Sequence, residues 1–202
     1  MSPSSAENPL IRGLTYPDVV QRSLYSMFEF GCSRVGRDAE AILYFGNRIT
    51  YGELMDDVHA FAAGLVSLGV KKGDFVTICL PNMPQCVVAV YAVNRIGAVC
   101  NLVHPLSTKK EIADAVRLCD SKVILTFEMN EGHAEGLGAQ IIRCETPEFF
   151  PKNPKGFVMK TVYRHSVRKA PKAAEVLLWR DVLQSGRDYL QTAELPKDTV
   201  CY

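Results

Sequence analysis

Few residues in this chain are placed to do chemistry, and each has a plainer role beside it. Asn82 follows an apolar run at 75–80, where the edge of an open α/β sheet would bind a ligand. It also precedes Pro84, so its side chain is expected to cap a helix. His104, before Pro105 and Ser107, lies at a second such edge. Catalysis would need a partner acid or base in reach, and none is evident, so a loop histidine is expected. His59 and His133 are expected to face solvent. Asp56, Asp57 and Asp114 read as helix-surface charges rather than a placed carboxylate pair. The stretch GHAEGLG at 132–138 lacks the spacing of a dinucleotide-binding turn and reads as a flexible loop. Seven cysteines at 32, 79, 86, 100, 119, 144 and 201 form no CxxC pair, which predicts reduced thiols packed as small hydrophobes and no zinc site. No catalytic, cofactor-binding or metal-binding residue is therefore assigned.

The most charged segment is Lys152, Lys155, Lys160, Arg164, Arg168, Lys169 and Lys172, with no acid between Glu148 and Glu175. Such a run reads first as a solvated loop. It is also the one place where an anionic lipid surface, a CoA phosphate or an acidic partner would dock.

The elements that would position these residues centre on 74–105. DFVTICLPN, MPQCVVAVYAVNRIG and AVCNLVHP read as strand, helix and strand, the first strand apolar enough to be buried on both faces. Upstream, a helix is expected from about 17 to 30, with Gly31 and Gly36 at its exit. Segments 41–45 and 48–51 flank Gly46-Asn47 as a hairpin. Thr50 and Glu53 form a capping box opening a helix that Gly69 closes. Downstream, Thr108 and Glu111 open another helix, 122–127 is a strand, and 140–143 a further one. Around Trp179 a short strand or helix start leads into a helix to Gly186, and 199–202 begins a strand. Strands near 75, 99 and 123 separated by helices predict an α/β fold: a mostly parallel sheet flanked by helices, with an N-terminal hairpin. The chain divides into a mobile arm at 1–13, an α/β core at 14–144, a basic, proline-containing loop at 145–174, and the start of a next subdomain at 175–202.

RITYGEL at 48–54, GVKKGD at 69–74, LPN at 80–82, GAV at 97–99 and Glu111 before an apolar helix occur in order. Together they resemble the N-terminal region of the adenylate-forming ligases: acyl-CoA synthetases, luciferases and peptide-synthetase adenylation domains. The resemblance is nearest to a fatty acyl-CoA synthetase. It implies an ATP-dependent acid–thiol ligase that forms an acyl-adenylate from a carboxylic acid and passes the acyl group to CoA, with ATP, Mg²⁺ and CoA required by the whole protein. That family's Ser/Thr/Gly-rich phosphate loop closed by lysine has no counterpart in 1–202, so none of its functional residues carries over. The segment alone is expected to be inactive. Its expected partners are the remaining parts of its own chain and a second copy packed on the surface those parts would cover. The alternatives are an amino-acid or aryl-acid adenylation domain, or a non-catalytic α/β scaffold lobe.

Composition narrows the classes further. A net charge of +1 over 202 residues carries no nucleic-acid signature. Hydrophobic residues make up 48% of the chain, enough for a substantial core. The longest apolar run, 86–93, is too short to span a bilayer, and residues 1–8 lack a secretory pattern. The expected compartment is the cytosol.

Overall fold

The computed structural model describes residues 22–195. Expectations for the arm at 1–13, the start of the first helix near 17 and the strand at 199–202 fall outside them. The first described helix, α1 (Leu24–Val35), begins at Ser23, whose side chain accepts from the Ser26 N–H. It runs through Gly31 to Gly36, which adopts φ 90°. One interior glycine costs a helix only about 1 kcal/mol, so Gly31 does not stop it.

Strands β1 (Glu40–Tyr44) and β2 (Asn47–Thr50) form the expected hairpin. Its turn is Phe45-Gly46, one residue earlier than Gly46-Asn47, because both central residues take positive φ (50° and 88°) while Asn47 pairs with Tyr44. Helix α2 (Tyr51–Ser67) starts at the complete Thr50–Glu53 capping box and gives way to Gly69 at φ 87°. Strand β3 (Phe75–Ile78), helix α3 (Pro84–Arg95) and strand β4 (Val99–Leu102) follow. Helix α4 (Lys109–Cys119) opens on the Thr108–Glu111 box and leads to β5 (Val123–Phe127) and β6 (Gln140–Cys144).

The basic segment is not one long loop. Residues Pro154–Ser166 form helix α5, capped by Asn153, which accepts from the Gly156 N–H at 2.9 Å. A cap residue followed by proline at the first helical position, then lysine and arginine with good helix propensity, overrides the reading of proline as a loop marker. A two-residue strand, β7 (Leu177–Leu178), joins the sheet, and α6 (Trp179–Thr192) continues past Gly186.

The sheet is parallel throughout, in the order β4-β3-β5-β6-β7. Side chains alternate between two cores, as strand periodicity requires. Val76, Ile78, Val123, Leu125, Phe127 and Ile142 pack toward α1, α2, α3 and α6. Cys79, Ile124 and Ile141 meet Ile112 and Val116 of α4 on the other side. The larger core closes where α6 lies on α2. Trp179 stacks on Phe61 with ring centroids 4.0 Å apart. A Cβ on Gly186 would sit 1.8 Å from the Ala60 carbonyl oxygen, and one on Gly64 2.5 Å from that of Val182. Only hydrogen at both positions permits this approach.

Candidate functional site

The strand order reverses direction between β3 and β5, the place where open α/β sheets hold ligands. Here that point is closed by one side chain. Asn130, in the turn after β5, accepts from the Phe127 N–H at 3.1 Å. Its amide donates to the Cys79 carbonyl and sulfur at 3.2 and 3.0 Å, and to the Pro105 carbonyl at 3.3 Å. The ends of β3, β4 and β5 are thus stitched together around a residue that is buried itself. The Cys79 thiol donates to the His104 carbonyl. Burial, only partly opposed by Asn130, pushes that thiol up to about 11, so it stays protonated and is no nucleophile near neutrality.

The two residues singled out at this edge are placed differently. His104 Nδ1 accepts from the Leu106 N–H at 3.2 Å, as a loop histidine would. Asn82 is exposed and does not cap α3. Pro84 is the first helical residue, so the cap position falls on Met83, whose carbonyl accepts from the Cys86 N–H. The proline set the register one residue later than the Asn-based reading.

The remaining candidates are scattered. His59 is not solvent-facing: its Nε2 lies 2.6 Å from the Tyr25 hydroxyl, and burial, then Arg95, holds its pKa below the usual imidazole value. His133 is half-buried, with Nδ1 enclosed and unpartnered. Asp56 pairs with Arg37 at 2.8 Å and Asp57 with Arg187 at 3.0 Å. Asp114 pairs with Lys110 along α4. The glycine-rich stretch begins in a 3-10 turn, Glu131–His133, with Gly132 pressed on Pro171. Gly136 and Gly138 then take φ 76° and 79°.

The polar residues that do converge lie one strand further along, at the carboxyl ends of β5, β6 and β7. Glu128, buried, accepts from the Thr146 N–H at 3.1 Å, the Thr146 hydroxyl at 2.9 Å and the Tyr163 hydroxyl at 3.1 Å. These bonds hold α5 to the sheet. Glu131, with no solvent exposure, lies 3.2 Å from Arg143 Nη1 and 3.5 Å from Lys172 Nζ. Gln85 donates to the Glu145 carbonyl and to Glu148 at 3.1 and 3.3 Å. Burial, then Glu145 and Asp57, raises the Glu148 pKa against the opposing Gln85 bond and Arg180. Beside these groups opens a cavity of about 430 Å³ whose wall carries six lysines and arginines and three glutamates. The basic run supplied part of this wall, and the other members went unrecognised. Glu128, Asn130 and Glu131 follow a fully buried, mostly apolar strand, the same kind of signal that drew attention to Asn82 and His104.

Among the described residues no group of three His, Cys, Asp or Glu could hold a metal ion. The cavity wall carries no glycine.

The sequence profile described as "AMP-binding enzyme" matches residues 28–202. Acetyl-coenzyme A synthetase of Shewanella baltica is 44% identical over 170 residues, covering 78% of this chain and 25% of that protein. Acetyl-coenzyme A synthetase 1 of Candida albicans is 31% identical over 158 residues, covering 75% and 23%. The chain thus spans about a quarter of the length of these relatives. Among solved structures, the anthranilate CoA ligase AuaEII bound to anthranoyl-AMP superposes with a TM-score of 0.63 at 14% identity, over 88% of this chain and 30% of that one. The adenylation domain of a carboxylate reductase from Mycobacterium chelonae gives 0.58 at 15% identity, over 89% and 30%. At these identities the structures speak for the fold.

Proposed function

Because this chain belongs to the AMP-binding enzyme family, we propose that the protein it forms part of is an ATP-dependent acid–thiol ligase. Its carboxylate substrate would attack the α-phosphorus of ATP, giving acyl-adenylate and pyrophosphate. The CoA thiol would then take the acyl group and release AMP. The observation that carries this reading is the 44% identity to an acetyl-coenzyme A synthetase over 170 residues. The names of these relatives favour the short end of the fatty acids as the substrate class. Residues 1–202 contribute the α/β lobe and its carboxyl edge. No chemical step is assigned to the side chains of this segment, and the segment by itself is inactive in this proposal.

The test is acid-dependent pyrophosphate release by the full-length protein, across straight-chain acids from acetate to palmitate, with and without CoA. Release that peaks with a short acid and yields acyl-CoA supports the reading. No release with any acid overturns the ligase assignment, and release without CoA consumption overturns the choice of thiol. Activity of residues 1–202 alone would overturn the division of labour.

A further inference from the structure

We propose that the cavity at the carboxyl ends of β6 and β7 is a binding site for a small, multiply charged oxyanion of the phosphate class. Lys160, Arg164 and Arg168 lie four residues apart, so α5 and the turn after it bring them to one stripe, and all three line the cavity. Arg143 at the end of β6, Lys172 in the loop before β7 and Arg180 in the first turn of α6 complete the wall. Helix α6 starts without a side-chain cap, at Leu178. The positive end of a 14-residue helix therefore adds to the cations around the cavity.

The carboxylates nearby are already committed. Glu128 serves Thr146 and Tyr163, Glu131 balances Arg143 and Lys172, and Glu148 accepts from Gln85. Glu145 stands 3.7 Å from Arg143, and Asp181 stands 3.5 Å from Arg180. Among the described residues no carboxylate forms an ion pair with Lys160, Arg164 or Arg168. Like charges four residues apart destabilise a helix when nothing lies between them, and an anion in the cavity removes that cost. Arginine forks contributed by β6, α5 and α6 suit a ligand with oxygens in several directions, as a tetrahedral phosphoryl group has. The volume of about 430 Å³ leaves room for the anion and its water.

The phosphoryl group could come from a free anion or from a lipid headgroup, since Phe157, Val158 and Val162 are exposed on α5. Both are tested on the full-length protein without ATP or acid, so the outcome is independent of the ligase reading. Inorganic pyrophosphate is titrated while hydrogen exchange is followed at 156–168 and 179–183, and sedimentation with phosphatidylglycerol vesicles is measured alongside. The comparison variant carries Arg164→Ser and Arg168→Ser, both at exposed positions, and an Arg164→Lys, Arg168→Lys variant keeps the charge. Pyrophosphate protection at those two segments that weakens roughly tenfold or more in the serine variant, and partly returns with lysine, supports a free anion. Salt-sensitive vesicle binding that falls likewise in the serine variant supports the headgroup source. Absence of both, or binding equal in the serine variant, overturns the site. Circular dichroism of the variants separates this result from loss of fold.

Discussion

The carboxyl ends of β3 and β5 and those of β6 and β7 lie along one edge of one sheet, yet they end differently. At the first pair a neutral amide, Asn130, satisfies three loops and leaves the space closed. At the second, cations from α5, β6, the loop after α5 and α6 surround an open cavity. Topology alone selects the first location for a ligand, and side chains select the second. The difference lies in what the polar groups have left to bind. A buried amide whose hydrogen bonds are made holds the fold together, whereas Lys160, Arg164 and Arg168, with no ion pair to a carboxylate among the described residues, keep their capacity for a partner.

The sharpest way to break this contrast is Gly186→Ala, because α6 runs from the cavity to its contact with α2. The new Cβ meets backbone, which cannot swing aside as a side chain end can. A loss of about 3 kcal/mol or more is expected, read from the denaturation midpoint, with the cavity distorted and the Asn130 junction kept. Next is Asn130→Ala, which strands a buried N–H and removes donors from two carbonyls. The expected cost is about 2–4 kcal/mol with anion binding at the cavity retained. Equal damage to both regions would show that the edge behaves as one unit.

Glu148 separates the regions by pH. Its folded pKa lies above the ordinary 4.5, so the native state holds the proton more tightly than the unfolded chain. Its contribution is complete below about pH 4.5 and is lost as pH rises through the folded value. Glu148→Gln should therefore be more stable than the parent near neutrality and show a flatter stability curve between pH 4 and 7. A parallel curve for the two proteins would remove burial as the cause. The smallest effect belongs to Asn82→Ala: exposed and capping nothing, it should change stability by less than about 0.5 kcal/mol. A larger loss would restore the capping role inferred from sequence.

What could be read without coordinates was whatever depends on near neighbours. The Thr50–Glu53 and Thr108–Glu111 boxes close within one turn, and the strands at 75, 99 and 123 declare themselves by short, mostly apolar runs. Met83 displaced Asn82 because a single proline fixed where the helix began. Lys160, Arg164 and Arg168 were visible as charge, but their shared stripe required knowing that 154–166 is helical. Glu131 needed more still, since Arg143 and Lys172 reach it from segments separated in the chain and brought together only by β6 pairing with β5. Family membership was legible because its motifs are short, ordered and local, whereas the cavity wall is assembled from four separate segments.

The seam between α2 and α6 also has a meaning in time. Arg187 reaches Asp57 across 130 residues of chain and Ser185 meets Ser67 across 118, whereas the capping boxes and the β3-α3-β4 unit need only nearby residues. Contacts with such long chain separation carry the greater closure cost and tend to form after the short-range ones. On a growing polypeptide, α2 and α3 can meet the first strands while α6 is still unsynthesised, leaving the groove at Ala60 and Gly64 bare to water and to other chains. Docking of α6 is then a late step. Damage at Gly186 should accelerate unfolding far more than it slows folding, and the interval before docking is when this chain has most to gain from a chaperone.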